Sequence, residues 1–353
     1  MHLCIVTVYN TENCGSFLQA YALFKVLENM GHKVSFLYRD RAHTTHSFYA
    51  HVKEFIVKCL KLDAKSACYV WKRYMNYRYA QQCFTEIKQE EEAFSTIDCI
   101  ILGSDTIWNF NSPYFNRNKD IYTGGRFIGK KCIAYAASAA DTPIEFFEQD
   151  KEIKDNIRKL DAISVRDTDT WKMVKTLTAR EVPIVCDPTI LIEREIFDGL
   201  APEIPDKNYI ILYHFDKVSD KKKENILKLK REKNCQLISF GEYRSWCDKN
   251  VAYDPYFFIS YIMNADFVLT DTFHGTVFSI LYERDFAEYG GKKKKIADLI
   301  NFAGLKKTLA YEDTSLMQIF KEGLDYSKTR YRIAELRNRS MQFLKENLMG
   351  KEK

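Results

Sequence analysis

Leu3-Cys4-Ile5-Val6-Thr7-Val8, the polar stretch Asn10-Thr11-Glu12-Asn13-Cys14-Gly15-Ser16, then Phe17–Met30, Gly31 and Val34–Tyr38 decide how this chain folds. The first and last are apolar runs of strand length rich in β-branched residues. Between them Ala20, Leu23, Phe24 and Leu27 fall on one helical face, and Gly31 is placed to end that helix. The unit is βαβ, and its rhythm continues. Asp98–Leu102, Lys131–Ala136 and Ala162–Val165 read as strands, Lys151–Lys159 and Thr168–Leu177 as helices, with a short strand around Ile184–Cys186. A second set follows: Tyr209–Tyr213, the charged helix Ser219–Lys233, Gln236–Phe240, Phe257–Asn264, Asp266–Thr270, and a helix from about Gly275 to Tyr282. The strand-like Asp285–Tyr289, then Asp298–Gly304 and the long helix Tyr326–Met349, complete it. Strands alternating with helices predict parallel sheets, so the expected class is α/β, with two Rossmann-like doubly wound domains facing a cleft.

The expected boundaries are residues 1–190 for the first domain, 191–325 for the second and 326–353 for a C-terminal helix. Pro188, Pro202 and Pro205 give the stretch from Asp187 to Asp206 the look of an inter-domain linker. Residues 43–94 form a polar-aromatic insertion, expected as surface helices that could make a flap over a site.

The 353 residues carry 53 Lys+Arg against 48 Asp+Glu, a net charge of only +5. That suits an anionic small molecule and argues against a nucleic-acid partner, which would demand a dense basic stripe. No apolar run is long enough to span a bilayer, and Met1–Tyr9 lacks the basic start of a signal peptide. The 10 cysteines show no CxxC pair and no zinc-like spacing with His. A cytoplasmic protein with no structural metal is expected.

In doubly wound sheets ligands sit past the carboxyl ends of strands, so those positions are the candidate site. Asn13, Gly15 and Ser16 open the first helix, either as ligand donors or as its N-cap. No GxGxxG or Walker loop is present. Cys14 has no identifiable base partner and reads as a bystander thiol. After the next strand, Ser104, Asp105 and Trp108 offer hydrogen bonds and a stacking face for a sugar, or a turn with a core Trp. Ser138 follows the strand after that. Arg166 could clamp a carboxylate or phosphate, or pair with Asp167 or Asp187. In the second half Asp271-Thr272-Phe273-His274-Gly275-Thr276 lies between a strand and a helix. Asp271 or Thr272 can cap that helix, and His274 at its N-terminus is a candidate general acid.

Asn13–Leu23, Gly103–Trp108, Tyr135–Ser138, Ser164–Asp167, Asp187-Pro188-Thr189 and Thr270–Gly275 together resemble the polysaccharide pyruvyltransferase family, in the family's order and across about residues 4 to 305. The resemblance implies a glycosyltransferase-B-like pair of domains. It implies transfer of the enolpyruvyl group of phosphoenolpyruvate to sugar hydroxyls of a capsule or exopolysaccharide precursor, with no further cofactor. Under it His274 is the acid/base residue. Arg166 holds the donor's anionic groups with Thr272, Phe273 and the Gly275 and Thr276 amides, and the first domain takes the acceptor, lipid-linked or nucleotide-linked. Better-studied branches of the family carry an Arg where this chain has Thr272. Lys292–Lys295, and Lys293 among them, are the candidates to replace it, the alternative being a solvated loop. The rival expectations are a glycosyltransferase using a sugar nucleotide and a non-catalytic sugar-binding protein on the same fold. The aromatic insertion and the positive charge suggest peripheral contact with the inner face of the membrane.

Overall fold

A computed structural model describes residues 1–38, 48–61 and 63–349. The first part of the expected insertion (residues 43–47) and the end of the expected C-terminal helix (residues 350–353) lie outside the described residues.

In chain order the elements of the first half are β1 (His2–Val6), α1 (Cys14–Asn29), β2 (Lys33–Leu37), α2 (Phe48–Leu60), α3 (Ala64–Ala80), β3 (Glu86–Ile87), β4 (Cys99–Leu102), β5 (Lys131–Ala137) and β6 (Ala162–Val165). The strands of the second half are β7 (Tyr209–Tyr213), β8 (Gln236–Phe240), β9 (Lys249–Val251), β10 (Phe267–Thr270) and β11 (Phe286–Glu288). The first sheet runs β3-β2-β1-β4-β5-β6 and the second β11-β10-β7-β8-β9, all pairings parallel. Both are doubly wound, as expected. In each, strand order reverses at one place: between β1 and β4, and between β7 and β10. Loops leaving those strands diverge to opposite sides, opening a crevice at the sheet's carboxyl edge. The central strands β4 and β7 are buried along their whole length, which is why they read as unbroken apolar runs.

Two strands were not expected. β3 and β9 are two and three residues long, too short to show a period, and β3 ends the helical part of the insertion earlier than anticipated. The expected strand Ile184–Cys186 reduces to a single bridge between Ile184 and Val165. The supposed linker is also more structured than its prolines suggested. Pro188 starts the short helix Pro188–Leu191, all of it buried, and that helix packs on α1.

The largest apolar core does not stop at a domain boundary. It runs from Leu3, Phe17 and Leu23 of the first half to Tyr213, Phe258 and Phe278 of the second. Thirteen residues of α1 are buried, because this helix is covered by its own sheet and by the helices Pro255–Met263 and Phe273–Leu281. The final helix, Ser327–Leu348, returns across the junction. Thr329 Oγ1 donates to Ala303 O at 2.9 Å, the Cys186 amide donates to Ser340 Oγ at 2.9 Å, and Lys131 Nζ reaches Asn347 O at 2.6 Å. Among the described residues no helix is long and apolar enough to cross a membrane.

Candidate active site

The two crevices open onto one cleft of about 340 Å³, in the range of small-molecule sites. Its walls come from the loops after β1, β4, β5 and β6 on one side and after β7, β10 and β11 on the other.

His274 sits in the first turn of the helix Phe273–Leu281, at the cleft wall, with 7% of its surface exposed. The helix starts there because Thr272 Oγ1 accepts the Gly275 amide at 2.8 Å. A Cβ on Gly275 would lie 2.2 Å from Thr270 Oγ1 and 2.6 Å from Thr272 Oγ1, so the glycine makes room for the cap. This corrects the expected role of Gly275 and Thr276 as ligand donors. The Gly275 amide is spent on the cap and the Thr276 amide on Thr272 O at 3.1 Å, while the Thr276 hydroxyl is fully buried against Glu288. The amides of Phe273 and His274, at the first two helical positions, have no partner among the described residues. Asp271 is not the cap. Its carboxylate accepts the Phe215 amide at 3.0 Å and the Asp216 amide at 2.8 Å, which pins the loop after β7 to the loop after β10.

Across the cleft α1 approaches the imidazole closely. Asn13 caps α1, its side-chain oxygen accepting the amides of Gly15 at 2.9 Å and Ser16 at 3.2 Å. A Cβ on Gly15 would fall 2.1 Å from His274 Nδ1, so Gly15 admits the imidazole rather than a ligand. His274 Nε2 stands 3.5 Å from Asp187 Oδ2 and makes no hydrogen bond among the described residues. Asp187 is itself held rigidly. Thr189 donates its amide (3.1 Å) and hydroxyl (2.7 Å) to Oδ1, and Arg166 Nη1 meets Oδ2 at 2.6 Å. Burial alone would raise the Asp187 carboxyl; the charges of His274 and Arg166 outweigh it and hold the group well below the usual carboxylate range.

Arg166 is therefore bound to protein carboxylates. Its Nη2 lies 3.4 Å from Asp105 Oδ1, and its guanidinium stacks over Phe273 at 4.5 Å from the ring centre. The alternative of a buried ion pair with Asp187 is what the structure contains, with Asp105 as second partner. Asp105 also accepts from Ser16 Oγ at 3.0 Å. Burial works to raise the Asp105 carboxyl, but Arg166 foremost among its neighbours brings it below the ordinary value.

Four lysines follow β11, and the structure separates them. Lys293 Nζ donates to Asp271 O at 3.0 Å and pairs with Asp216 at 3.1 Å; Lys294 pairs with Asp298 at 3.3 Å. Both line the cleft. Lys295 lines it too, lies 5.9 Å from the Phe273 ring centre and has no ion pair among the described residues. Burial, and then the nearby Arg166 charge, lower its pKa below the usual lysine value. A half-buried, unpaired ammonium is an unsatisfied charge that an anion would complete.

Among the expected acceptor contacts, Asn13, Ser16 and Asp105 line the cleft with Thr106 and Asn109. Trp108 and Ser138 do not. Trp108 is fully buried, its Nε1 donating to Tyr122 O at 2.9 Å, because the indole fills the core beside Phe115 and Tyr122 and is no stacking face. Ser138 is fully buried and donates to Asp167 Oδ2 at 2.5 Å; Asp167 in turn caps the helix Thr168–Thr178. Ser104 is fully buried behind the cleft, 3.4 Å from Asp187 Oδ2. Sequence reasoning passed over Tyr213 and Phe215, which line the cleft after β7. The strand-end rule, applied to Tyr209–Tyr213 as it was to the other strands, finds them. Among the described residues no three His, Cys, Asp or Glu side chains converge as metal ligands would.

Comparison with known proteins agrees with this architecture. Residues 13–286 match the family model of polysaccharide pyruvyl transferase. No curated protein matches the sequence significantly. Among solved structures, the glycosyltransferase of kitacinnamycin superposes with a TM-score of 0.50 at 12% identity, over 97% of this chain and 94% of that one. A Listeria monocytogenes protein assigned as a UDP-N-acetylglucosamine 2-epimerase gives 0.50 at 9% identity, over 96% and 90%. At such identities the likeness concerns the fold, which is of the glycosyltransferase-B type. The family match spans most of the chain and takes in both crevices, with His274, Asp187, Arg166 and Asp105 inside it; this protein belongs to the polysaccharide pyruvyl transferase family.

Proposed function

We propose that the chain transfers the pyruvyl group of phosphoenolpyruvate to a saccharide precursor of a capsule or exopolysaccharide, closing a ketal on two sugar hydroxyls. The observation that carries this reading is that His274 shares the cleft with Lys295, the cleft lysine that makes no ion pair among the described residues. Phosphoenolpyruvate brings a carboxylate and a phosphate, and a pocket for it needs a cation, oriented amides and an acid. Lys295 supplies the cation, the Phe273 and His274 amides point the positive end of a helix at the ligand, and His274 supplies the proton. Lys295 thereby takes the role anticipated for Lys293, whose charge is already met, and for Arg166, which instead holds Asp187 and Asp105.

The imidazole protonates the methylene carbon of the donor. Positive charge then develops at C2, and a sugar hydroxyl attacks it while its proton returns to the imidazole. Phosphate leaves, taking the C2–O bond electrons, and the second hydroxyl closes the ring as its proton departs with the phosphate. Asp187, 3.5 Å from Nε2, keeps a buried negative charge beside the imidazole. Ser16, Asp105 and Asn109, on the wall of the first domain, are the proposed acceptor contacts. Phosphate release from phosphoenolpyruvate in the presence of a glycan panel tests the reading, with a thermal-shift comparison against UDP-sugars. Stabilisation by UDP-sugars with none by phosphoenolpyruvate would move the protein to sugar-nucleotide chemistry.

A further inference from the structure

The hairpin of α2 and α3 carries a surface that the transfer chemistry does not use. Of the fifteen large apolar side chains exposed among the described residues, eight lie between Phe48 and Tyr79. They form stripes. Tyr49, Ile56 and Leu60 recur at i, i+7 and i+11 on α2, and Trp71, Met75 and Tyr79 at i, i+4 and i+8 on α3. The opposite faces carry the buried His51, and Tyr69, Tyr74 and Tyr77, so the stripes are what the fold leaves uncovered. Tyr49 is 82% and Leu60 79% exposed, and it is their clustering on one helical face, not the exposure of either alone, that marks a contact surface. Phe55, from the inner side of α2, meets Trp71 at 5.9 Å between ring centres, so the two helices pack against each other beside the α3 stripe.

The charge of the molecule is concentrated in the same place. Residues 48–80 hold seven Lys or Arg against two acidic residues, a net +5 that equals the +5 of the whole chain, so the rest is balanced. Lys53, Lys61, Lys65 and Lys72 are exposed beside the stripes. The hairpin's ion pairs among the described residues are confined to His51–Glu12, Arg73–Glu12 and Arg73–Glu54. Glu12 directly precedes the Asn13 cap at the cleft wall, and Asn76 Nδ2 donates to Tyr253 O at 2.9 Å in the second half.

The geometry points to the α2–α3 hairpin as a seat on an anionic lipid surface, its apolar stripes entering the boundary between headgroups and acyl chains and its lysines facing lipid phosphates. The aliphatic Ile56, Leu60 and Met75 select lipid over a polysaccharide, which stacks on flat rings. Seated in this way the hairpin brings the cleft next to the lipid plane, where a lipid-linked acceptor is presented. The inference does not depend on the identity of the donor.

Cosedimentation of the full chain with phosphatidylglycerol vesicles, and with phosphatidylcholine vesicles as reference, tests it. The protein should pellet with the anionic vesicles, be released by salt and pellet little with the neutral ones. The triple variant Tyr49→Ser, Ile56→Ser, Leu60→Ser should weaken binding by about tenfold or more. Lys53→Gln and Lys61→Gln should each weaken it about fivefold. Melting temperatures should stay unchanged, since these residues are exposed. The inference is overturned by absence of binding to phosphatidylglycerol, or by binding that the substitutions leave untouched. It is equally overturned by a concentration-dependent dimer that the triple variant abolishes, or by retention on anionic polysaccharide in preference to vesicles.

Discussion

Replacing Gly15 by alanine isolates the geometry of the active site from its chemistry. Gly15 lies in the first turn of α1 with a helical backbone, where alanine is intrinsically the better residue by about 1 kcal/mol. The added methyl, however, would sit 2.1 Å from His274 Nδ1, 2.3 Å from Cγ and 2.6 Å from Cβ. Ordinary contact needs 3.4 Å or more, so the ring must retreat by about 1.3 Å. Because His274 Cβ itself is too close, a change of rotamer does not suffice and the start of the helix Phe273–Leu281 has to move. A displacement of about 1 Å in a catalytic group costs on the order of 10² in rate, close to 2.7 kcal/mol of transition-state stabilisation. Overpacking costs about 1–3 kcal/mol, partly offset by the helix gain, so the fold should survive with a modestly lower Tm. The assay is kcat for phosphate release from phosphoenolpyruvate beside a melting curve. Combining Gly15→Ala with His274→Gly, which removes the Cβ as well as the ring, should relieve the clash without recovering activity. A single variant with wild-type Tm and kcat within about threefold of wild type would show that α1 does not set the imidazole's position.

Further outcomes follow from the same contacts. His274→Asn should lower kcat by about 10²–10⁴ with the melting curve preserved, measured by phosphate release. Lys295→Gln should raise KM for phosphoenolpyruvate about tenfold or more while Lys293→Gln changes it little, and Lys295→Arg should restore part of the loss; equal effects at the two lysines would refute the cation assignment. A bound anion raises the depressed Lys295 pKa, so donor affinity should fall as pH rises through that depressed value, and this pH dependence should vanish in Lys295→Gln. Burial pushes the Glu288 carboxyl up to about 8, so the folded chain holds a proton there that the unfolded chain releases near its ordinary value of 4.5. Stability from this group is present at low pH and lost as pH rises through about 8. Glu288→Gln should be neutral near pH 4.5 and more stable than wild type at alkaline pH by on the order of 1–3 kcal/mol, read from urea unfolding.

The alternation of strands and helices was legible because parallel strands are buried on both faces and announce themselves as apolar runs, from Leu3–Val8 to Asp266–Thr270. The two-residue β3 and three-residue β9 carry no such signal, and their pairing is decided by neighbours distant in sequence. Strand ends located the cleft, and they correctly brought Asn13, Ser16, Asp105 and His274 to it. They could not tell which polar groups are consumed within the protein. Arg166 and Ser138 sit at strand ends, yet each is spent on a carboxylate, and Trp108 turns inward because an aromatic core waits behind its loop. Separating Lys295 from Lys293 requires knowing where Asp216 and Asp271 lie, which no spacing in the chain reveals.

The apolar core shared by the two halves sets how the molecule comes apart. A helix that contributes thirteen buried residues to both sides leaves neither half a complete interior of its own. Calorimetry should accordingly record one endotherm rather than two, and a protease nick between the sheets should release no autonomous fragment. Opening to exchange substrates is then a matter of surface loops and slight tilting, and wholesale separation of the halves is the first step of denaturation.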